Sequence, residues 1–207
     1  MKHFLYIISI ISALSAVSFE GCKGEKTEQQ EENDSDSTTI IIEESTLPQF
    51  SEARGIIGDG STMNYIELTT EQGDTMNIRT SGSFVGGGIM EGDEAYVAYC
   101  YNDEMEDKLA AVIINISTLS ATWTQKGLDG SDQKLQILSD GTINTQGMNT
   151  EFKKWKISDG ALLMTSYVHS KEHGQLEKTD TFKISTLTED SLVLSNRKYA
   201  TAFSRER

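Results

Sequence analysis

A chain of 207 residues carrying 32 acidic against 18 basic side chains has a formal charge of −14. Nucleic acid and anionic lipid surfaces are poor partners for that balance, because both are gripped by basic patches. Two cysteines are too few for a disulfide scaffold, so stability must come from packed cores.

Met1, Lys2 and His3 make a short, weakly basic start, and Phe4 to Val17 (FLYIISIISALSAV) is apolar apart from serines. That is the length of a signal-peptide core, short of the ~20 residues a membrane-spanning helix needs. Gly21-Cys22 closes the stretch like a bacterial lipobox, with Phe19 and Glu20 where Leu and a small residue are usual. The relaxed pattern resembles lipoproteins of the Bacteroides group. Residues 1–21 therefore read as a lipoprotein signal peptide, and Cys22 as the lipidated residue. Three acyl chains, at ~0.8 kcal/mol per buried CH₂, would give a stable anchor. An acylated Cys22 excludes an internal disulfide with Cys100, which is expected to be a buried, inert thiol on a strand.

Residues 22–48 are rich in Glu, Asp, Gln, Ser and Thr (EKTEQQEENDSDS) and read as a disordered acidic linker. Thr38 to Ile42 is a brief apolar interruption. From residue 49 the pattern turns to short strands between turn residues. Ala53–Ile57, Met63–Thr70, Thr75–Thr80, Glu94–Tyr101 and Leu109–Ser117 are the expected strands, and Ser81–Gly88 is a glycine-rich loop. Five strands in about 70 residues suit a small OB-like or SH3-like barrel over 49–118.

Residues 119–207 hold eight more strand candidates: around Trp123, then Leu135–Leu138, Thr142–Gln146, Phe152–Ser158, Leu162–Val168, Thr179–Thr186, Leu192–Ser195 and Tyr199–Ser204. Asp129-Gly130, Asp140-Gly141 and Asp159-Gly160 supply turn residues that tolerate positive φ. Even spacing predicts an up-and-down barrel, so the fold class is all-β throughout.

Trp123 with LQILSDGTINTQ, FKKWKISDGALLM and TDTFKISTLTEDSLVL resembles the short lipocalin-like domains of Bacteroides-group lipoproteins. The segments IELTTEQGDTMNIRT and MEGDEAYVAYCY resemble the small OB-like barrel that accompanies them. The order is the reverse of a two-barrel copper-homeostasis lipoprotein of enteric bacteria. Its Cys-x-x-Cys pair is absent here, so copper binding does not carry over. Ala121 also stands where lipocalins place Gly, two residues before the first-strand Trp. The resemblance implies a C-terminal Arg packed across that Trp at a closed end, a structural role that falls to Arg205.

Several constellations carry no chemistry at this level. His169-Ser170-Lys171-Glu172-His173 has the H-x-x-E-H spacing of zinc proteases, which need both imidazoles on one helical face. Here the motif follows a strand and runs into Gly174, which predicts a solvated hairpin tip. Gly86-Gly87-Gly88 lacks the Lys-Ser/Thr of a phosphate loop. Asp103, Glu104, Glu106 and Asp107 lack the spaced ligands and turning Gly of an EF-hand. No catalytic residue, metal ligand or cofactor is assigned. Charge divides unevenly: residues 49–118 hold 12 acidic and 3 basic side chains, residues 119–207 hold 11 and 12.

The resulting expectation is a non-enzymatic, lipid-anchored envelope protein on the outer membrane, with the cell surface as an alternative face. Its second barrel would hold a small hydrophobic or amphipathic molecule, with Trp123, Phe152, Trp155, Tyr167, Phe182 and Phe203 as candidate lining. The competing expectation is an envelope scaffold or stress sensor that contacts a protein partner.

Overall fold

The computed structural model describes residues 50–127, 129–170 and 174–207. The expected signal peptide, Cys22, acidic linker and the Lys171–His173 part of the H-x-x-E-H motif lie outside them. Among the described residues, fourteen strands and one helical turn run in chain order, and no helix is long and apolar enough to cross a membrane.

The first module holds β1 (Ser51–Ile57), β2 (Tyr65–Thr70), β3 (Thr75–Arg79), β4 (Phe84–Gly86), β5 (Glu94–Asn102) and β6 (Asp107–Asn115). Antiparallel pairing runs β3-β2-β1-β5-β6, and a parallel pair, Arg79 with Leu109, joins β3 back to β6. That pair brings the two ends of the first module's sheet together. Period-two alternation puts Ile66 and Leu68 of β2 and Ile78 of β3 into its core beside Val97 and Ile113.

Two details depart from the sequence reading. The glycine-rich loop contains β4, which pairs in parallel with β6 from Phe84↔Val112 to Gly86↔Ile114. The expected last strand also ends early, at Asn115, because Ile116–Leu119 turns into α1. Asn115 is fully buried and caps that turn, accepting from Thr118 N at 2.8 Å. Its amide donates to Asp93 Oδ2 at 2.7 Å and to Gly88 O at 3.4 Å, so one side chain ties the glycine loop to the crossover. Gly87 is required there: its φ is +84°, and a Cβ would sit 2.8 Å from that of Asn115.

The second module follows at once as β7 (Thr122–Lys126), β8 (Asp132–Ile137), β9 (Ile143–Gln146), β10 (Phe152–Ser158), β11 (Ala161–Ser170), β12 (Gly174–Leu187), β13 (Ser191–Ser195) and β14 (Ala200–Arg205). Each strand pairs antiparallel with the next, and β14 returns to β7. The remaining seam, β9 to β10, is stitched by a Thr142–Lys154 bridge and by Trp155 N donating to Gly141 O at 2.8 Å. The eight expected strands are therefore present, in the expected up-and-down order.

The modules share apolar surface. On β5, Ala95 and Val97 face the small barrel, whereas Tyr96 and Ala98 join the core of the large one with Ile114, Ile116 and Leu119. Strands buried on both faces read as continuous apolar runs, which is how AYVAYC and LAAVII look in the sequence.

Candidate functional site

One end of the large barrel is sealed. Trp123 is wholly buried there, donating its indole N–H to Leu119 O at 2.9 Å. Arg205 lies across the ring at 5.6 Å and donates to Glu189 O and Thr118 O at 3.1 and 3.2 Å. Against this end sits the first module. Glu52 Oε1 accepts from Tyr96 OH at 2.8 Å and from Asp159 N at 2.5 Å, while Gly160 N donates to Tyr96 OH at 3.0 Å. Asp159 and Gly160 make this contact from a hairpin turn with φ of +50° and +68°, the geometry that Asp-Gly favours. Arg54 reaches Ser139 O at 3.1 Å, and Gly87 N donates to Leu187 O at 2.9 Å. Burial holds the Tyr96 phenol well above its usual range; the Gly160 N–H opposes this and the Glu52 carboxylate adds to it.

The other end is open, into a cavity of about 1020 Å³. Its walls are built by alternation. Leu135, Met164, Leu194 and Phe203 are buried side chains on β8, β11, β13 and β14 that line it. Toward the opening the same faces turn polar: Gln133 precedes Leu135, Thr201 precedes Phe203, and Gln125 Nε2 donates to Gln133 Oε1 at 2.7 Å. Strand β12 changes from Phe182 through Asp180 to Lys178, the last two paired at 3.1 Å. Met148 on the β9–β10 loop and exposed Tyr199 on the β13–β14 loop complete the rim.

Of the six aromatic residues expected to line the barrel, the structure brings three to the cavity: Phe152, Phe182 and Phe203. Phe152 and Phe182 meet edge to face at 6.1 Å. Trp123 serves the sealed end. Trp155 is buried near the junction, donating to Leu138 O at 2.7 Å beside a pocket of only about 90 Å³ that Arg54 and Tyr96 share. Tyr167 stands on the outer face, because Leu162, Met164 and Ser166 take the inward positions of β11. There Lys154 Nζ lies 5.8 Å above its ring.

Residues 115–206 match the lipocalin-like family model. The match spans the large barrel, which is lipocalin-like over those residues. A solved lipocalin-like protein from Bacteroides thetaiotaomicron VPI-5482 is 26% identical, covering 43% of this chain and 97% of its own, with a TM-score of 0.36. No curated protein matches the chain.

The lipocalin-like barrel holds lining residues that the aromatic pattern alone missed: Leu135, Met164 and Leu194 are aliphatic and read simply as strand core. Their signal was phase, since each shares the inward face with a polar residue nearer the opening. His169 lies on β11 paired with Gln175, on a strand rather than a helix. Asp107 of the acidic cluster turns inward to Tyr65 OH at 3.0 Å and Arg79 Nε at 3.2 Å. Among the described residues no group of three or more His, Cys, Asp or Glu is arranged to hold a metal ion. Cys100 is buried as expected, but it is disulfide-bonded, which replaces its reading as an inert thiol.

Proposed function

We propose that the chain is a non-enzymatic, lipid-anchored envelope protein whose lipocalin-like barrel holds a small hydrophobic or amphipathic molecule. The open cavity carries this reading. At about 1020 Å³ it lies at the upper end of the ~300–1,000 Å³ typical of small-molecule sites. Its buried end is apolar and its few polar groups lie toward the opening, an arrangement that favours removal of an apolar body from water. The filled interior that would defeat a carrier role belongs to the sealed half, where Trp123 and Trp155 pack. Native mass spectrometry of the chain from a host rich in lipids and small metabolites tests the proposal. A co-purifying small molecule supports it, and a chain that stays empty with every hydrophobic probe offered defeats it.

Anchoring through Cys22 at the outer membrane, with the barrel in the periplasm or at the cell surface, belongs to the same proposal. Labelling with a clickable fatty acid, comparing wild type with Cys22→Ala, should mark the wild type only. An unlabelled wild type would remove the anchor.

A second reading, a scaffold that meets an envelope protein, draws on the acidic first module, whose β5–β6 turn exposes Asp103, Glu104 and Glu106. Cross-linking in intact cells that captures one defined partner through this turn would favour it.

A further inference from the structure

We infer that the ligand of the barrel is an anionic amphiphile, held tail-inward with its acidic group at the rim; the inference rests on the carrier reading above. Four cationic side chains line the cavity: Lys178, Lys183, Arg197 and Lys198. One carboxylate, Asp180, lines it with them, and Lys178 alone pairs with it. No ion pair engages Lys183, Arg197 or Lys198 among the described residues. This local excess occurs in a protein whose formal charge is −14. It is therefore concentrated at the one opening and not a property of the surface at large.

Position matters as much as sign. Arg197 and Lys198 sit side by side on the β13–β14 loop, above Leu194 and Phe203, which line the wall of the same two strands. Lys178 stands on β12 two turns of the alternation outside Phe182. An apolar body lodged against Phe152, Phe182 and Phe203 would project its terminal group among these cations. A carboxylate, sulfonate or phosphate would gain charge-assisted hydrogen bonds there, with Arg197 able to offer two donors at once. A neutral head would gain much less, and a quaternary ammonium would be repelled.

Titrating the full chain with a dansyl-labelled eleven-carbon carboxylate and with its methyl ester tests this directly. The apolar bodies are the same and only the charge differs. The carboxylate should bind roughly five- to tenfold more tightly at low salt, the range expected of a few half-exposed charges. The gap should narrow as ionic strength rises. The Arg197→Gln/Lys198→Gln double variant should lose most of the carboxylate's advantage while binding the ester unchanged. Equal affinity for acid and ester would overturn the inference and leave the carrier reading standing. Binding of neither would remove the carrier reading too. A double variant that weakens both probes alike would assign the loop to general packing and would equally overturn a charge-specific head site.

Discussion

Removing the Arg205 guanidinium strips Trp123 of its cationic cover and leaves two carbonyl acceptors, Glu189 O and Thr118 O, without this donor. Together these contacts contribute roughly 1–2 kcal/mol. Arg205→Ala should therefore lower the thermal midpoint by about 2–8 °C for a chain of this size, and an unchanged midpoint would refute the pairing. Tyr96 makes a sharper prediction. Its folded-state pKa lies above the unfolded value because burial disfavours the phenolate. The stability this contributes is fully present below the unfolded value near pH ~10 and is lost as pH rises through the folded one. Urea midpoints from neutral to strongly alkaline pH should fall more steeply in wild type than in Tyr96→Phe. Parallel curves would mean that the phenol is not held neutral at the junction. The Trp123–Arg205 contact was open to anticipation only through the resemblance to lipocalin-like domains, in which a C-terminal Arg covers the first-strand Trp. The Tyr96–Glu52–Gly160 contact was not, because it joins residues from two modules that nothing in the local pattern links.

At the scale of elements, strand β10 shows where alternation can mislead. Phe152 and Trp155 are three apart, which in a regular strand would place them on opposite faces. Both are buried because the register with β11 shifts between Phe152 and Lys154, and a bulge admits the extra residue. Deleting Lys153 leaves Phe152 and Trp155 two apart, which keeps both rings on the inward face of a regular strand. The deletion should therefore cost no more than about 1 kcal/mol, read from chemical denaturation. A loss of about 3 kcal/mol or more, comparable to losing a large core side chain, would show that the bulge itself is required. The same reasoning accounts for Tyr167. On β11 the inward set includes Ser166, a polar residue at a buried site that bonds Lys178 O at 3.4 Å. Aromatic identity points Tyr167 inward; strand phase, fixed by Leu162 and Met164, points it out.

The whole molecule is organised around a shared boundary. Strand arrangement in both barrels was legible because alternation and Asp-Gly turns are local. Docking of the barrels was not, since the double burial of β5 and β6 looks like an ordinary central strand until the second core is found on its other face. Tyr96, Ala98, Ile114, Ile116 and Leu119 belong to the large barrel's core by contact and to the first module by chain position. Cooperative melting should follow: one calorimetric transition, with matching calorimetric and van't Hoff enthalpies. Two resolved transitions would mean that the junction contributes little to stability.

The first module's seat against the sealed end also dictates traffic. With the base stoppered, a molecule held as proposed would have to leave by the way it came. A newcomer cannot push the occupant out from behind; it waits for a vacancy. Release measured under chase should therefore proceed at a rate indifferent to how much competitor is added.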